Sequence, residues 1–342
     1  MDTLSLTFGL LLSLLSGSLL GTFAWPMKKM ATWQWENIWI MYSIWGLILI
    51  PWIWAFLTVP NLLSIYEAAP LAVIVTVFLF GAGWGLSSIG FGISLNTLGI
   101  ALGTAIVLGL INAIGTILPI LILNPDAIVT RTGIFISIGV GIMLIGIVLS
   151  ALAGLQKEKA LQIVTKSDEN KRKFTKGLII SILAGLLGAM FNFGLIAGKP
   201  LEVLAIENGA SSLNAANATW CISLFGGFII TLIYCVYLIR KNNSWNYFKK
   251  SGTNKYWVLT FIMGVMWFGG IALYGTAVMN LGNLGASIGW PIIQSMAILS
   301  GNIAGIFSGE WKDSGKKPLR TMLLGLLFLV VGISVISYAG TI

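Results

Sequence analysis

The stretch Phe78–Gly99 reads FLFGAGWGLSSIGFGISLNTLG, and 183 positions later Phe261–Gly282 reads FIMGVMWFGGIALYGTAVMNLG. Phe78, Gly81, Trp84, Gly92, Leu98 and Gly99 recur there as Phe261, Gly264, Trp267, Gly275, Leu281 and Gly282. Each stretch lies inside a long run without a charged residue, Ala68–Pro125 (58 residues) and Tyr256–Gly309 (54 residues). A helix that crosses the hydrocarbon of a bilayer needs about 20 apolar residues, so each run must hold two helices. Asn96, Thr97 and Gly99 mark the turn in the first run and Asn280, Gly282 and Asn283 in the second, because Asn and Gly tolerate the backbone of a tight loop.

Outward from this pair the other charge-free runs are Thr3–Met27 (25 residues), Asn37–Tyr66 (30), Thr132–Gln156 (25), Gly177–Gly198 (22), Asn208–Ile239 (32) and Thr321–Ile342 (22). The order single, single, double, single therefore occurs twice. Gly139, Gly146 and Gly154 also recur, at an offset of 186, as Gly325, Gly332 and Gly340. The expected fold is an all-α integral membrane protein of ten transmembrane helices, built as two five-helix repeats. Residues 1–156 form the first repeat, 157–176 a basic linker and 177–342 the second. Asp2 stands where a signal peptide would carry basic residues and no A-x-A site follows, so the first run reads as a span.

Composition agrees. Of 342 residues 57% are hydrophobic and 9% charged, with a mean hydropathy of +0.93, against roughly 25% charged in a soluble domain. With no histidine, zinc-histidine sites and histidine-dependent triads are excluded in their usual forms. Cys221 and Cys235 share one apolar run at a separation of about 21 Å on a helix, too far apart for a disulfide. No cofactor, bound metal or enzymatic activity is implied.

Of the 20 Lys and Arg, 18 fall in the loops joining spans 1–2, 5–6, 7–8 and 9–10; only Arg131 and Lys199 lie on the other side. The rule that basic loops stay cytoplasmic makes 157–176 a cytoplasmic linker and puts both termini in the periplasm. Loop bases account for the net charge of +9, so no nucleic-acid partner is expected. Five is odd, so the second repeat enters the membrane inverted relative to the first. Inverted repeats are the architecture of secondary transporters, with the substrate between the repeats near the midplane.

The spans offer neutral polar and aromatic side chains, which suit a hydroxyl-rich neutral solute: amides donate and accept, and an apolar sugar face packs on an indole. Ser287, Trp290 and Gln294 share one face of the ninth span. Asn217 and Trp220 lie in the seventh, Asn112 in the fourth, Asn192 in the sixth, and Trp84, Trp267 and Tyr274 in the third and eighth. Each also fits an ordinary structural role, helix–helix contact for most and an interfacial aromatic belt for Trp220. The acids stand at span ends: Glu36 after Trp33 and Trp35, Glu202 and Glu207 after Lys199-Pro200, and Glu310 after the ninth span. Solvated end charge is the ordinary role there; Glu36, then Glu202, are the candidates for carrying a proton.

Several segments resemble the L-rhamnose-proton symporter family of the drug/metabolite transporter superfamily. They are Lys28-Lys29 before Trp33-Gln34-Trp35-Glu36, Phe78-Leu79-Phe80-Gly81 with Trp84-Gly85, Leu98-Gly99, Gly115-Thr116 before Pro119, Lys199-Pro200, and Glu310-Trp311-Lys312 with Gly315 and Pro318. The resemblance implies a ten-helix inner-membrane carrier that takes up L-rhamnose or a related deoxysugar by proton symport, with sugar and protons as its partners. An exporter of small amphipathic metabolites, or a membrane receptor or scaffold without transport, stays open at this point, as does the oligomeric state.

Overall fold

The computed structural model describes residues 3–98, 100–123, 125–160, 168–282, 285–307, 311 and 314–339. Gly99, Asn283, Glu310, Lys312 and Gly340 lie outside the described residues, as does the side chain of Ser287. Helix α1 runs Thr3–Thr22, followed by a 3-10 turn at Trp25–Lys29. The second span is not one regular helix: α2 (Trp35–Ser43) passes through a π-helical segment (Ile44–Leu49) into α3 (Ile50–Thr58). Pro51 explains this, because it lacks an N–H and its ring presses on the preceding turn, which widens to accommodate it. A short α4 (Leu62–Ala68) starts after Asn61 at φ 54°.

Next come α5 (Leu71–Leu98), α6 (Ile100–Leu123) and α7 (Arg131–Ala160). The sixth predicted span is likewise broken, into α8 (Asp168–Gly188), α9 (Met190–Ala197) and α10 (Lys199–Glu207). The chain continues as α11 (Ala216–Lys241), α12 (Asn254–Asn280), α13 (Gly285–Phe307) and α14 (Lys316–Ala339). Among the described residues nine helical segments are long and apolar enough to cross a membrane; α6 contributes a shorter apolar stretch, Ile106–Ile122. Of the residues expected in the two turns, Asn96 and Thr97 lie within α5 near its end and Asn280 ends α12, with Gly282 beyond it at φ 71°. Within the stretch 157–176, expected as a basic linker, α7 reaches Ala160 and α8 begins at Asp168.

The burial pattern is that of a membrane protein. Leu4, Phe8, Leu11 and Leu15 of α1 and Ile134, Ile138, Ile145 and Val148 of α7 face outward, while Ser13, Ser16, Asn112, Asn192, Ser223 and Thr231 are buried. Lipid accepts apolar side chains and leaves polar ones to satisfy each other inside. Helices α7 and α14 approach through glycines in reciprocal register: a Cβ at Gly146 would lie 2.8 Å from the Gly325 carbonyl, and one at Gly332 3.0 Å from that of Gly139. That order makes the two helices antiparallel at backbone contact. Elsewhere α1 packs on α12 and α13, and α8 on α5 and α6; α5 packs on α11, and α12 on the α2–π segment.

Candidate functional site

The break at Ala189 starts α9, a helix of two turns that carries Phe191 and Asn192. Gly188 permits the break to lie against α6, since a Cβ there would sit 2.3 Å from Ile111 Cδ1. Phe191 is the hub of an aromatic cluster. Its ring centre lies 4.9 Å from Trp84 of α5 and 4.9 Å from Trp220 of α11, stacked on the latter, with Trp267 and Trp290 at 6.2 and 6.3 Å. Trp84 and Trp267, which occupy matching positions 183 residues apart, meet at 5.3 Å. Tyr274 joins Trp220 (6.2 Å) to Trp290 (5.6 Å), and Tyr42 of α2 meets Trp267 edge-on.

Polar groups thread the cluster. The Tyr274 hydroxyl donates to Asn192 Oδ1, Asn192 Nδ2 donates to the Gly115 carbonyl at 2.8 Å, and Trp290 Nε1 donates to the Ile111 carbonyl at 3.3 Å. Gly115 is flush against the Trp290 indole, where a Cβ would come within 2.4 Å of Nε1. Trp220 Nε1 and Ser223 Oγ, one turn apart on α11, are buried without a hydrogen-bond partner among the described residues, as are both amide atoms of Asn112. A buried polar group left unpaired costs about 1–3 kcal/mol, so these are groups that a hydroxyl-bearing ligand would stabilise.

All five aromatic candidates, Trp84, Trp220, Trp267, Tyr274 and Trp290, thus come together with Asn192. Trp220 is wholly buried, so it is not part of an interfacial belt. Asn112 is buried on α6 beside Ile111. Asn217 is engaged elsewhere, donating to Thr58 Oγ1 at 3.1 Å at the end of α3. Gln294 is half-buried one turn beyond Trp290. Sequence reasoning missed Phe191, Tyr42 and Ser223. Phe191 is the neighbour of a chosen asparagine, but a phenylalanine in an apolar run carries no signal of its own.

The acids require a correction. Glu36 and Glu202, expected as solvated end charges, are 4% and 3% exposed; Glu207 is exposed as expected. Glu36 Oε1 accepts hydrogen bonds from Asn242 Nδ2 and Ser244 Oγ, both at 2.9 Å. Beside it Asn37 Nδ2 donates to the Ser244 carbonyl at 3.0 Å, and Trp33 is ringed edge-on by Phe248, Tyr256 and Trp257. Glu202 Oε2 lies 3.0 Å from Lys199 Nζ, and the lysine side chain is 57% exposed.

A family model described as L-rhamnose-proton symport protein matches residues 2–341. A protein of Mannheimia succiniciproducens named L-rhamnose-proton symporter is 29% identical over 319 residues, covering 91% of this chain and 92% of that protein. Proteins of the same name from Yersinia pestis and Yersinia pseudotuberculosis are 29% identical over 340 residues, 97% of this chain and 98% of theirs.

Proposed function

Because the chain belongs to the L-rhamnose-proton symport protein family, a family of transporters and not of enzymes, we propose that it takes up L-rhamnose or a closely related deoxysugar with a proton across the bacterial plasma membrane. The observation that carries the sugar reading is the aromatic cluster around Phe191. A 6-deoxyhexose has an apolar methyl and C–H face that indoles cover, and hydroxyls that need donors and acceptors. Trp84, Trp267 and Trp290 supply the faces; Asn192, Tyr274, Trp220 Nε1, Ser223 and Asn112 supply the polar partners. Asn217 and Gln294 belong to an outer shell around it.

The alternating-access mechanism of this reading requires ten spans in two inverted repeats, with both termini periplasmic and the 157–176 linker cytoplasmic. Its support is the matched packing. α1 on α12 and α13 has its counterpart in α8 on α5 and α6, α5 on α11 has its counterpart in α12 on the α2–π segment, and α7 meets α14 through reciprocal glycines. Trp84 and Trp267 each stand about 20 Å along a helix of about 40 Å, the depth at which inverted-repeat carriers hold substrate. The distribution of Lys and Arg supports the orientation.

The test is uptake of a panel of labelled monosaccharides by cells in which this is the sole sugar carrier, with external pH recorded. L-Rhamnose or another deoxysugar enters and the medium turns alkaline. Entry of ordinary hexoses in preference, or entry without alkalinisation, overturns the reading.

A further inference from the structure

We infer that Glu202 is the carboxylate that carries the transported proton, that Lys199 is its counter-charge, and that the Tyr274–Asn192 bond connects it to the sugar. The inference rests on the transport reading above. Glu202 is buried up to its one cation, whereas that cation is open to the surroundings. A proton therefore has a short route to the pair.

The pair is also mechanically joined to the aromatic cluster. Gly198, between α9 and α10, accepts a hydrogen bond from Thr219 Oγ1 at 3.0 Å, and a Cβ at Gly198 would collide with that threonine. So α9, with Phe191 and Asn192, and α10, with Glu202, pivot on one point of α11. On the facing helix α12, Tyr274 donates to Asn192 and Met279 Sδ accepts from Lys199 Nζ at 3.5 Å.

Other ionisable groups around α10 are committed or remote. It packs on α4, α9 and α11. On α4, Tyr66 donates to the Ala218 carbonyl at 2.8 Å and Glu67 is exposed. On α11, Cys221 faces the Pro51 carbonyl, and Arg240 and Lys241 stand at the far end, on the order of 30 Å away. Helix α9 has no ionisable residue, and Glu207 ends α10 in an exposed position.

The step is a proton transfer without change of oxidation state. A proton from the side of sugar entry bonds to a Glu202 oxygen as the ion pair with Lys199 opens, and it leaves from the same oxygen on the other side as the pair re-forms. A sugar hydroxyl takes the place of Tyr274 on Asn192. The ion pair lies within α10 and holds Lys199 in place to reach Met279 of α12, so opening it weakens one link to that helix, and displacing Tyr274 removes another; both together loosen α9–α10 from α12. That is how two ligands shift one equilibrium.

The test uses the full-length protein in liposomes with labelled L-rhamnose. With the wild type, an inward pH gradient concentrates the sugar, by about tenfold per pH unit for one proton per sugar. Glu202→Gln concentrates none, and its exchange of labelled for unlabelled sugar no longer varies with pH. Lys199→Gln stays coupled, and the pH of half-maximal uptake moves up by about one unit or more, because a carboxylate without its cation keeps a proton longer. Gradient-driven accumulation by Glu202→Gln overturns the inference, and so does an unmoved pH profile in Lys199→Gln, which decides the matter if Glu202→Gln does not insert. A wild type that exchanges no deoxysugar overturns the transport reading instead, and this inference with it.

Discussion

Glu36 and Glu202 are both buried carboxylates at helix beginnings, but they differ in who holds them. Glu36 takes two hydrogen bonds from residues more than 200 positions away, Asn242 and Ser244 just beyond the end of α11. Glu202 takes its salt bridge from Lys199, one turn back on its own helix. Neutralising Glu36 leaves the carbonyl oxygen of the protonated acid still able to accept both donors, so the joint persists. Neutralising Glu202 removes the charge that the lysine is there to meet. Burial alone therefore does not mark a coupling acid; what its partner does when the charge disappears is the more telling feature. In this reading Glu36 is a rivet between α2 and α11, and Glu202 a switch.

The sharpest way to break the comparison is to remove the rivet. Glu36→Ala takes away two hydrogen bonds to a charged acceptor, and Ser244, which is wholly buried, is left with a hydroxyl to satisfy. The expected loss is about 2–4 kcal/mol of stability, read as a lower midpoint of thermal unfolding in detergent. Glu36→Gln keeps an acceptor at the same place and recovers most of that loss, with gradient-driven uptake intact. An Ala variant as stable as the wild type removes the structural role and returns Glu36 to candidacy as a proton carrier.

The connection between switch and sugar is weaker and correspondingly harder to see. Tyr274→Phe deletes one neutral hydrogen bond to Asn192, worth about 0.5–1.5 kcal/mol, or roughly 2- to 13-fold in sugar affinity. The ring still packs between Trp220 and Trp290. Titrating sugar exchange in liposomes measures the change, and if the bond transmits between the two sites the sugar accumulated per pH unit falls as well. An altered affinity with full accumulation places Tyr274 in the sugar site only.

Much of this was legible in the sequence, for reasons that the structure clarifies. Runs without charge mark spans because lipid excludes charge, and the Trp84–Trp267 and glycine pairings survive because backbone contact and aromatic packing tolerate few replacements. Trp220, Trp290, Tyr274 and Asn192 stood out because polar and amphipathic side chains are costly in a span unless partnered. The missing parts lack such a signal. Phe191 looks like any apolar residue of a membrane helix, although every indole of the cluster touches it. The burial of Glu36 depends on residues 242–244 folding over it, a contact across more than 200 positions that charge-free run lengths do not encode. The break at Ala189 has no proline to announce it, whereas the widened turn at Ile44–Leu49 is explained by Pro51 once the helix is seen.

The smallest expected effect is also the one that separates the two carboxylates most cleanly. Glu202→Met replaces a buried acid by an apolar chain of similar length and leaves Lys199, already 57% exposed, free to be solvated. Exchanging a buried ionic group for a well-packed hydrophobic one is often neutral or favourable, provided that no charge is stranded. The unfolding midpoint of Glu202→Met should therefore stay near or above that of the wild type, while concentration of sugar against its gradient is lost. Glu36→Ala should do the reverse in kind, costing stability first and transport only as folded protein is lost. A Glu202→Met variant that unfolds as readily as Glu36→Ala shows that Glu202 too is a rivet.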